Sequence, residues 1–321
     1  MSISVGIEIG GTKLQIVAGD ACGTVLRRWR AAIDPARGGS GIREQIRAGI
    51  AEIRIDFQPL AIGVGFGGPV DWRSGRIARS HQVEGWEHFD LKPWLESETG
   101  LPVATENDSN AAALAEAVLG AGADADPVFY FNLGSGVGGG LVIGRNVYHG
   151  LPPGEAEFGH LRLDRAGATV ESRCSGWAID RQIRQAIEKH HDGPLARLAG
   201  LTRGGEALHL AAAISQNDPL AVQILTELAD HLGFALSHVV HLLHPAAIVM
   251  GGGLSLIGEP LRHAVDQALP RHVMDAFHPV PPLRLARLGE DAVPVGALIL
   301  AAKALARRDG SIRIQSESHE P

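Results

Sequence analysis

The chain has 321 residues, 45% of them hydrophobic and 20% charged, with a formal net charge of −7; this suffices for a large core and suggests two domains. No block of five or more basic residues is present, which argues against a nucleic-acid partner. Two cysteines, Cys22 and Cys174, are too few for a disulfide framework or a four-thiolate zinc site and fit a reducing cytoplasm. MSISVGIEIGGTK lacks the basic region and long apolar run of a signal peptide, so none is expected, and the longest apolar segments, broken by histidine or glycine, fall short of a membrane span.

In chain order, SVGIEIGG predicts a strand broken by glycine, and TKLQIVAGD and GTVLRRWR predict two more strands joined at Gly19-Asp20. GIREQIRAGIAEIRIDF has helical apolar spacing, PLAIGVGFGG predicts a buried strand ending in glycines, and GLPVATE a further strand. A helix follows from Ser109 to about Gly120, with Asp108 or Ser109 as its cap. The stretch ADADPVFYFNLGSGVGGGLVIGRNVYHG then repeats the opening order of strand, glycine loop, strand, turn, strand. Gly10 and Gly134 mark the same point in the two copies, as in duplicated halves. Beyond lie helices from about Ser175 to Lys189, over 205–216 and from Leu220 to Leu243. A buried strand AAIVMGGG, a helix after Pro260 and a last helix VGALILAAKALARR complete the order, with a frayed tail after Asp309.

Two stretches spell the dinucleotide fingerprint, Gly63-x-Gly65-x-x-Gly68 and Gly134-x-Gly136-x-x-Gly139. That pattern grips a pyrophosphate only when a helix follows it. GLVIG after Gly139 is a strand and PVDWRSGRI after Gly68 a turn, so a dinucleotide site is not expected. The loops at 10–13 and 134–136 read better as phosphate grips, where glycine lets backbone N–H groups approach anionic oxygens. Gly10, Gly11, Gly134 and Gly136 supply the backbone, Thr12 and Ser135 add hydroxyls, and Lys13 adds charge. Tight turns of a β-rich core would look similar, but a third glycine run, Gly251 to Gly253, favours a nucleotide site. No P-loop motif is present.

ENDSNAAALAE crowds Glu106, Asn107, Asp108 and Asn110 at one strand–helix junction, more polar groups than a cap requires. Phosphoryl transfer to an alcohol needs a carboxylate to take the hydroxyl proton, and Asp108 stands where α/β sheets present ligands. A second polar knot, GEAEFGHLRLD, holds Glu155, Glu157 and His160. Two ligands without nearby cysteine make a poor zinc site. A carboxylate and an imidazole suit sugar hydroxyls better, and a plain surface pair remains the alternative. Glu171 in TVESRCSGWAI lies just before a helix, where an acid is ordinary.

With these motifs the chain resembles the ROK family of repressors, open reading frames and sugar kinases over nearly its whole length. GIEIGGTK resembles the family's first phosphate motif, with Glu8 where aspartate is usual. GVGFGGPVDWRSGRI resembles its G-x-G-x-P-G-P-V-D segment, with Gly67 in place of proline. ENDSNAAALAE is similar to the acceptor-site motif, NLGSGVGGG to the second phosphate motif, GEAEFGH to the G-E-x-G-H motif through Glu157, Gly159 and His160, and AAIVMGGGLS to the adenosine-side segment with Gly252 and Gly253.

The resemblance implies a two-domain α/β protein of the actin/hexokinase-like (ribonuclease H-like) fold with a central cleft. Residues 1–118, completed by a helix at about 295–308, would form the small domain with the first phosphate loop and the acceptor base. Residues 119–294 would form the large one. It further implies an ATP-dependent hexose kinase, most simply of glucose, in which Asp108 is the base. Asn107, Glu157, His160, Glu171 and the backbone at Gly68 would hold the sugar. Mg²⁺ would be held by ATP phosphates and water rather than by side chains, and a cytoplasmic homodimer is the expected assembly, without nucleic-acid or membrane partners.

The family's cysteine-rich zinc motif after the histidine is missing, so no structural zinc is expected and protein contacts should hold His160. Gln82 replaces a common asparagine. Fructose, mannose or an N-acetylhexosamine are alternative acceptors, and a silent sugar-binding protein is a rival reading. A sugar-responsive regulator would need a helix-turn-helix ahead of the first motif, which here begins at Gly6.

Overall fold

A computed structural model describes residues 2–78, 83–152, 154, 156–200 and 203–310. The expectations placed on Gln82, on Glu155 and on the tail beyond residue 310 fall outside these residues. The chain divides into two compact units. The first comprises Met1–Ala115, His149–Glu155 and Asp291–Pro321, and the second Glu116–Tyr148 and Ala156–Glu290. Among the described residues no helix is long and apolar enough to cross a membrane.

In the first unit the strands are β1 (Ser4–Ile9), β2 (Lys13–Gly19), β3 (Val25–Ala32), β4 (Ile62–Phe66), the short pair β5 (Val70–Asp71) and β6 (Arg76–Ile77), and β7 (Val103–Asn107). The helices are α1 (Gly38–Asp56), α2 (Leu91–Thr99) and α3 (Asp108–Val118), which runs on into the second unit. The main sheet has the order β3-β2-β1-β4-β7, antiparallel on the β1–β2–β3 side and parallel through β1, β4 and β7. Ile42, Ile46, Ile50 and Ile53 recur at three- and four-residue spacing, so α1 buries one continuous stripe.

In the second unit β8 (Val128–Leu133), β9 (Val137–Ile143) and β10 (Asn146–Val147) are followed by α4 (Val170–Cys174), α5 (Gly176–Ile187), α6 (Pro194–Ala199), α7 (Leu210–Ser215), α8 (Pro219–Leu243), β11 (Ala247–Gly251), α9 (Glu259–Ala268) and β12 (Leu283–Leu285). Its sheet order, β10-β9-β8-β11-β12, is again antiparallel on one side and parallel on the other. The duplication expected from Gly10 and Gly134 is thus one topology used twice. The long α8 starts one residue before the apolar pattern predicts. Asp218 caps it through Leu220 N and Ala221 N, and Pro219 needs no amide partner at the first position.

The chain then returns to the first unit as α10 (Ala292–Arg308), seated on β1, β4 and β7. Bare glycine permits that seat: a Cβ at Gly63 would stand 1.8 Å from Ala297 O, and one at Gly296 1.9 Å from Ala111 O. Across the hairpin side of the same sheet runs a polar ladder. Fully buried Gln15 donates to Glu8 at 2.7 Å and accepts from Arg28 (2.6 Å) and Arg30 (2.9 Å), and Arg28 pairs with Asp291 at 2.6 Å. These bonds satisfy a side chain that the apolar interior would otherwise penalise.

Candidate active site

The first unit's turn, Gly10 to Lys13, is closed by the Gly10 amide on Lys13 O at 3.1 Å, while Thr12 stays exposed. Lys13 Nζ lies 3.6 Å from Glu8 Oε1. The acid that replaces the usual aspartate therefore faces the lysine expected on the phosphate side. Beside this turn, the Gly67 amide donates to Ile9 O at 2.8 Å. A Cβ at Gly67 would stand 3.3 Å from Asp108 Oδ2, so the carboxylate of Asp108 lies against the glycine that replaces a proline.

At the β7–α3 junction the surplus polar groups bond to one another. Asn107 caps α3, its Oδ1 accepting from Ser109 N at 2.8 Å and Asn110 N at 3.2 Å. This corrects the sequence expectation that Asp108 or Ser109 is the cap: Asp108 is the first helical residue, and its Oδ1 accepts from Ser109 N at 2.7 Å. The Asn107 amide also donates to Gly68 O at 3.1 Å, tying the junction to the loop after β4. Glu106 Oε1 accepts from Asn107 N (3.0 Å) and Asn110 Nδ2 (3.1 Å). Its Oε2 lies 2.6 Å from His149 Nε2, and the His149 ring stacks on Trp72 at 4.3 Å and 17°. Asn110 Oδ1 and Trp72 Nε1 are buried without a hydrogen-bond partner among the described residues.

In the second unit the matching turn runs from Gly134 to Gly136. Its Gly134 amide bonds Gly136 O at 2.9 Å, Gly134 O accepts from Gly176 N at 2.7 Å, and Ser135 is exposed. As expected, β9 rather than a helix follows, so the dinucleotide spelling is accidental. Gly252 has φ 83°, and a Cβ there would meet Leu133 N at 2.5 Å, which brings the third glycine run against the start of this turn. Glu171 Oε2 accepts from Val137 N at 3.0 Å and so stands at the same turn. It lies in the first turn of the short α4, which a Thr169–Ser172 capping box begins, and ahead of α5, the helix expected from the sequence to follow it.

Glu157 precedes the 3-10 turn Phe158–His160, and its Oε2 is 4.0 Å from His160 Nε2. That spacing is too long for a hydrogen bond. Among the described residues this loose pair is the ionic contact of the His160 ring. Cys174 is a core thiol, pushed up to about 12 by burial, which makes it inert as a nucleophile and poor as a metal ligand.

The structure thus brings Asn107, Asp108, Gly67 and Gly68 together in the first unit. In the second it joins Gly134 to Gly136, Glu171 and Gly252, and it sets Glu157 beside His160. Sequence reasoning missed the roles of Glu106, Trp72 and His149. The usable signal was a glutamate in the apolar strand VATEN, since a buried carboxylate demands partners.

The family profile described as "ROK family" matches residues 4–304. The glucokinase of Streptomyces coelicolor is 32% identical over 94% of this chain and 98% of its own length. That of Halalkalibacterium halodurans is 30% identical over 91% and 92%. Among solved structures, a ROK glucokinase from Streptomyces griseus in complex with glucose and AMPPNP superposes with a TM-score of 0.82 at 33% identity, covering 94% of this chain and all of that one.

Proposed function

The chain belongs to the ROK family, and we propose that this ATP-dependent sugar kinase phosphorylates the 6-hydroxyl of glucose with Asp108 as its general base. The observation that carries the reading is the β7–α3 junction, where Asp108 opens α3 with its Oδ2 lying against Gly67 and its Oδ1 accepting from Ser109 N. Glucokinase relatives at similar coverage favour glucose over fructose, mannose or an N-acetylhexosamine.

The donor would be ATP with Mg²⁺, which would be held mainly by the phosphates and water rather than by side chains and would neutralise phosphate charge. The turns at Gly10–Lys13 and Gly134–Gly136 supply backbone N–H groups and hydroxyls to its phosphates, and Gly252 and Gly253 flank the nucleoside. Glu157, His160, Glu171 and Asn107 accept from or donate to sugar hydroxyls. Asp108 takes the hydroxyl proton as the alkoxide oxygen attacks the γ-phosphorus, and ADP leaves with the electrons of the broken P–O bond. Because the phosphoryl transition state is largely charge redistribution, the protein's share is placement and electrostatics.

The test is a panel of hexoses with ATP in a coupled ADP-release assay. Glucose should give the highest kcat/KM; a higher value for fructose or an N-acetylhexosamine would reassign the acceptor, and no turnover with any hexose would end the kinase reading.

A further inference from the structure

Neither Glu106 nor His149 touches a substrate in the transfer described above, yet together they carry the tightest side-chain bond at the junction. Glu106 is only 2% exposed and His149 15%. Capping α3 does not require Glu106, because Asn107 Oδ1 already serves two amides of the first turn. Burying two such polar side chains is also a weak device for stability, since desolvation offsets much of what their contact gains.

What the pair does is join three pieces of chain. Glu106 grips the Asn107 amide and the Asn110 side chain on either side of Asp108. His149 grips Glu106 and lies flat on Trp72. Trp72 follows the loop whose Gly68 carbonyl receives the Asn107 amide. His149 also opens the run that the first unit claims although the chain on both sides of that run belongs to the second unit. One imidazole therefore fixes the residues on both flanks of Asp108 and the loop opposite it.

We propose that His149 is a positioning residue of the acceptor site, holding Glu106 so that the first turn of α3 aims the Asp108 carboxylate at the sugar hydroxyl. The proposal rests on Asp108 being the base. Without His149, Glu106 Oε2 is a buried oxygen lacking its strong donor, and the side chain relieves this by turning toward water. Asn107 N and Asn110 Nδ2 then lose their acceptor, and the carboxylate between them loses its direction. Displacements near 1 Å at a reacting group cost up to about 10²-fold in rate.

The experiment compares His149→Gln, whose amide can still reach and donate to Glu106, with His149→Asn, which is shorter, and with His149→Ala. Thermal unfolding and equilibrium glucose binding are recorded beside kcat and the two KM values, with Asp108→Asn as reference. His149→Asn and His149→Ala should lower kcat at least about tenfold per folded molecule while the ATP KM stays within about twofold, and His149→Gln should recover most of the loss. If Ala does not fold, the Gln–Asn pair makes the same comparison. Equal kcat for Gln and Asn, or a loss that only tracks the unfolded fraction, overturns the role of His149. Wild-type turnover in Asp108→Asn overturns the reading beneath it, and the two failures are told apart by which variant stays active.

Discussion

In the first unit the Glu106–His149 pair at the β7–α3 junction is nearly sealed, with the Glu106 side chain 2% and His149 15% exposed, whereas Glu157 and His160 in the second unit are 49% and 73% exposed. The two units share a sheet topology, so the fold does not set this difference. The buried pair is held at 2.6 Å with every Glu106 oxygen occupied; the exposed pair is 4.0 Å apart. An exposed pair of this kind is worth about 0–1 kcal/mol, so exchanging its partner for sugar hydroxyls costs little. The proposed proton acceptor thus stands at a junction organised before substrate arrives, whereas the proposed sugar grips are loosely held without it.

The largest effect expected from this contrast is on folding. Glu106→Ala leaves the buried donors Asn107 N and Asn110 Nδ2 unpaired and should cost roughly 3 kcal/mol, while Glu157→Ala should leave the unfolding curve in place. Chemical denaturation of both variants checks it, and equal destabilisation would erase the distinction between the units. Next comes Asp108→Asn, which should lower kcat at least ~10²-fold, as for loss of a general base, and leave glucose affinity nearly intact. More than about half of the wild-type kcat would exclude Asp108 as the base.

Smaller again, Glu157→Ala and His160→Ala should each raise the KM for sugar by about tenfold, the scale of one lost hydrogen bond to a charged or buried group, with the KM for ATP little changed. A shift confined to ATP would move these residues out of the sugar pocket. The smallest effect is none at all. Treatment with a zinc chelator in Mg²⁺ buffer should leave activity unchanged, and an alkylating reagent should label exposed Cys22 but spare Cys174 in the native protein. Stoichiometric zinc whose removal abolishes activity would contradict the first, and rapid double labelling the second.

Elements whose signal is local were legible in the sequence: the twin strand–glycine-loop–strand runs, the body of α8 though not its Asp218 cap, and the strand–helix break at Asp108. Asn107 rather than Asp108 became the cap because the choice among adjacent polar residues turns on which one leaves the helix, a matter of backbone angles. Glu171 entered a helix of its own because Thr169 and Ser172 cap each other, a two-residue signal too short for periodicity. The partnership of Glu106 with His149 spans 43 positions and could not be read from spacing. Only the isolated acid in VATEN announced that a partner must exist.

The seating of α10 on β1 and β4 has a consequence for how the protein is made. The first unit holds a sheet whose covering helix follows the whole second unit in the chain, and the glycine face at Gly63 stays bare until residues 292–308 have left the ribosome. The second unit, by contrast, has all its strands once β12 is out. Vectorial synthesis therefore completes the later half first, and the nascent amino-terminal half waits as an open, apolar sheet, a substrate for chaperones and for aggregation.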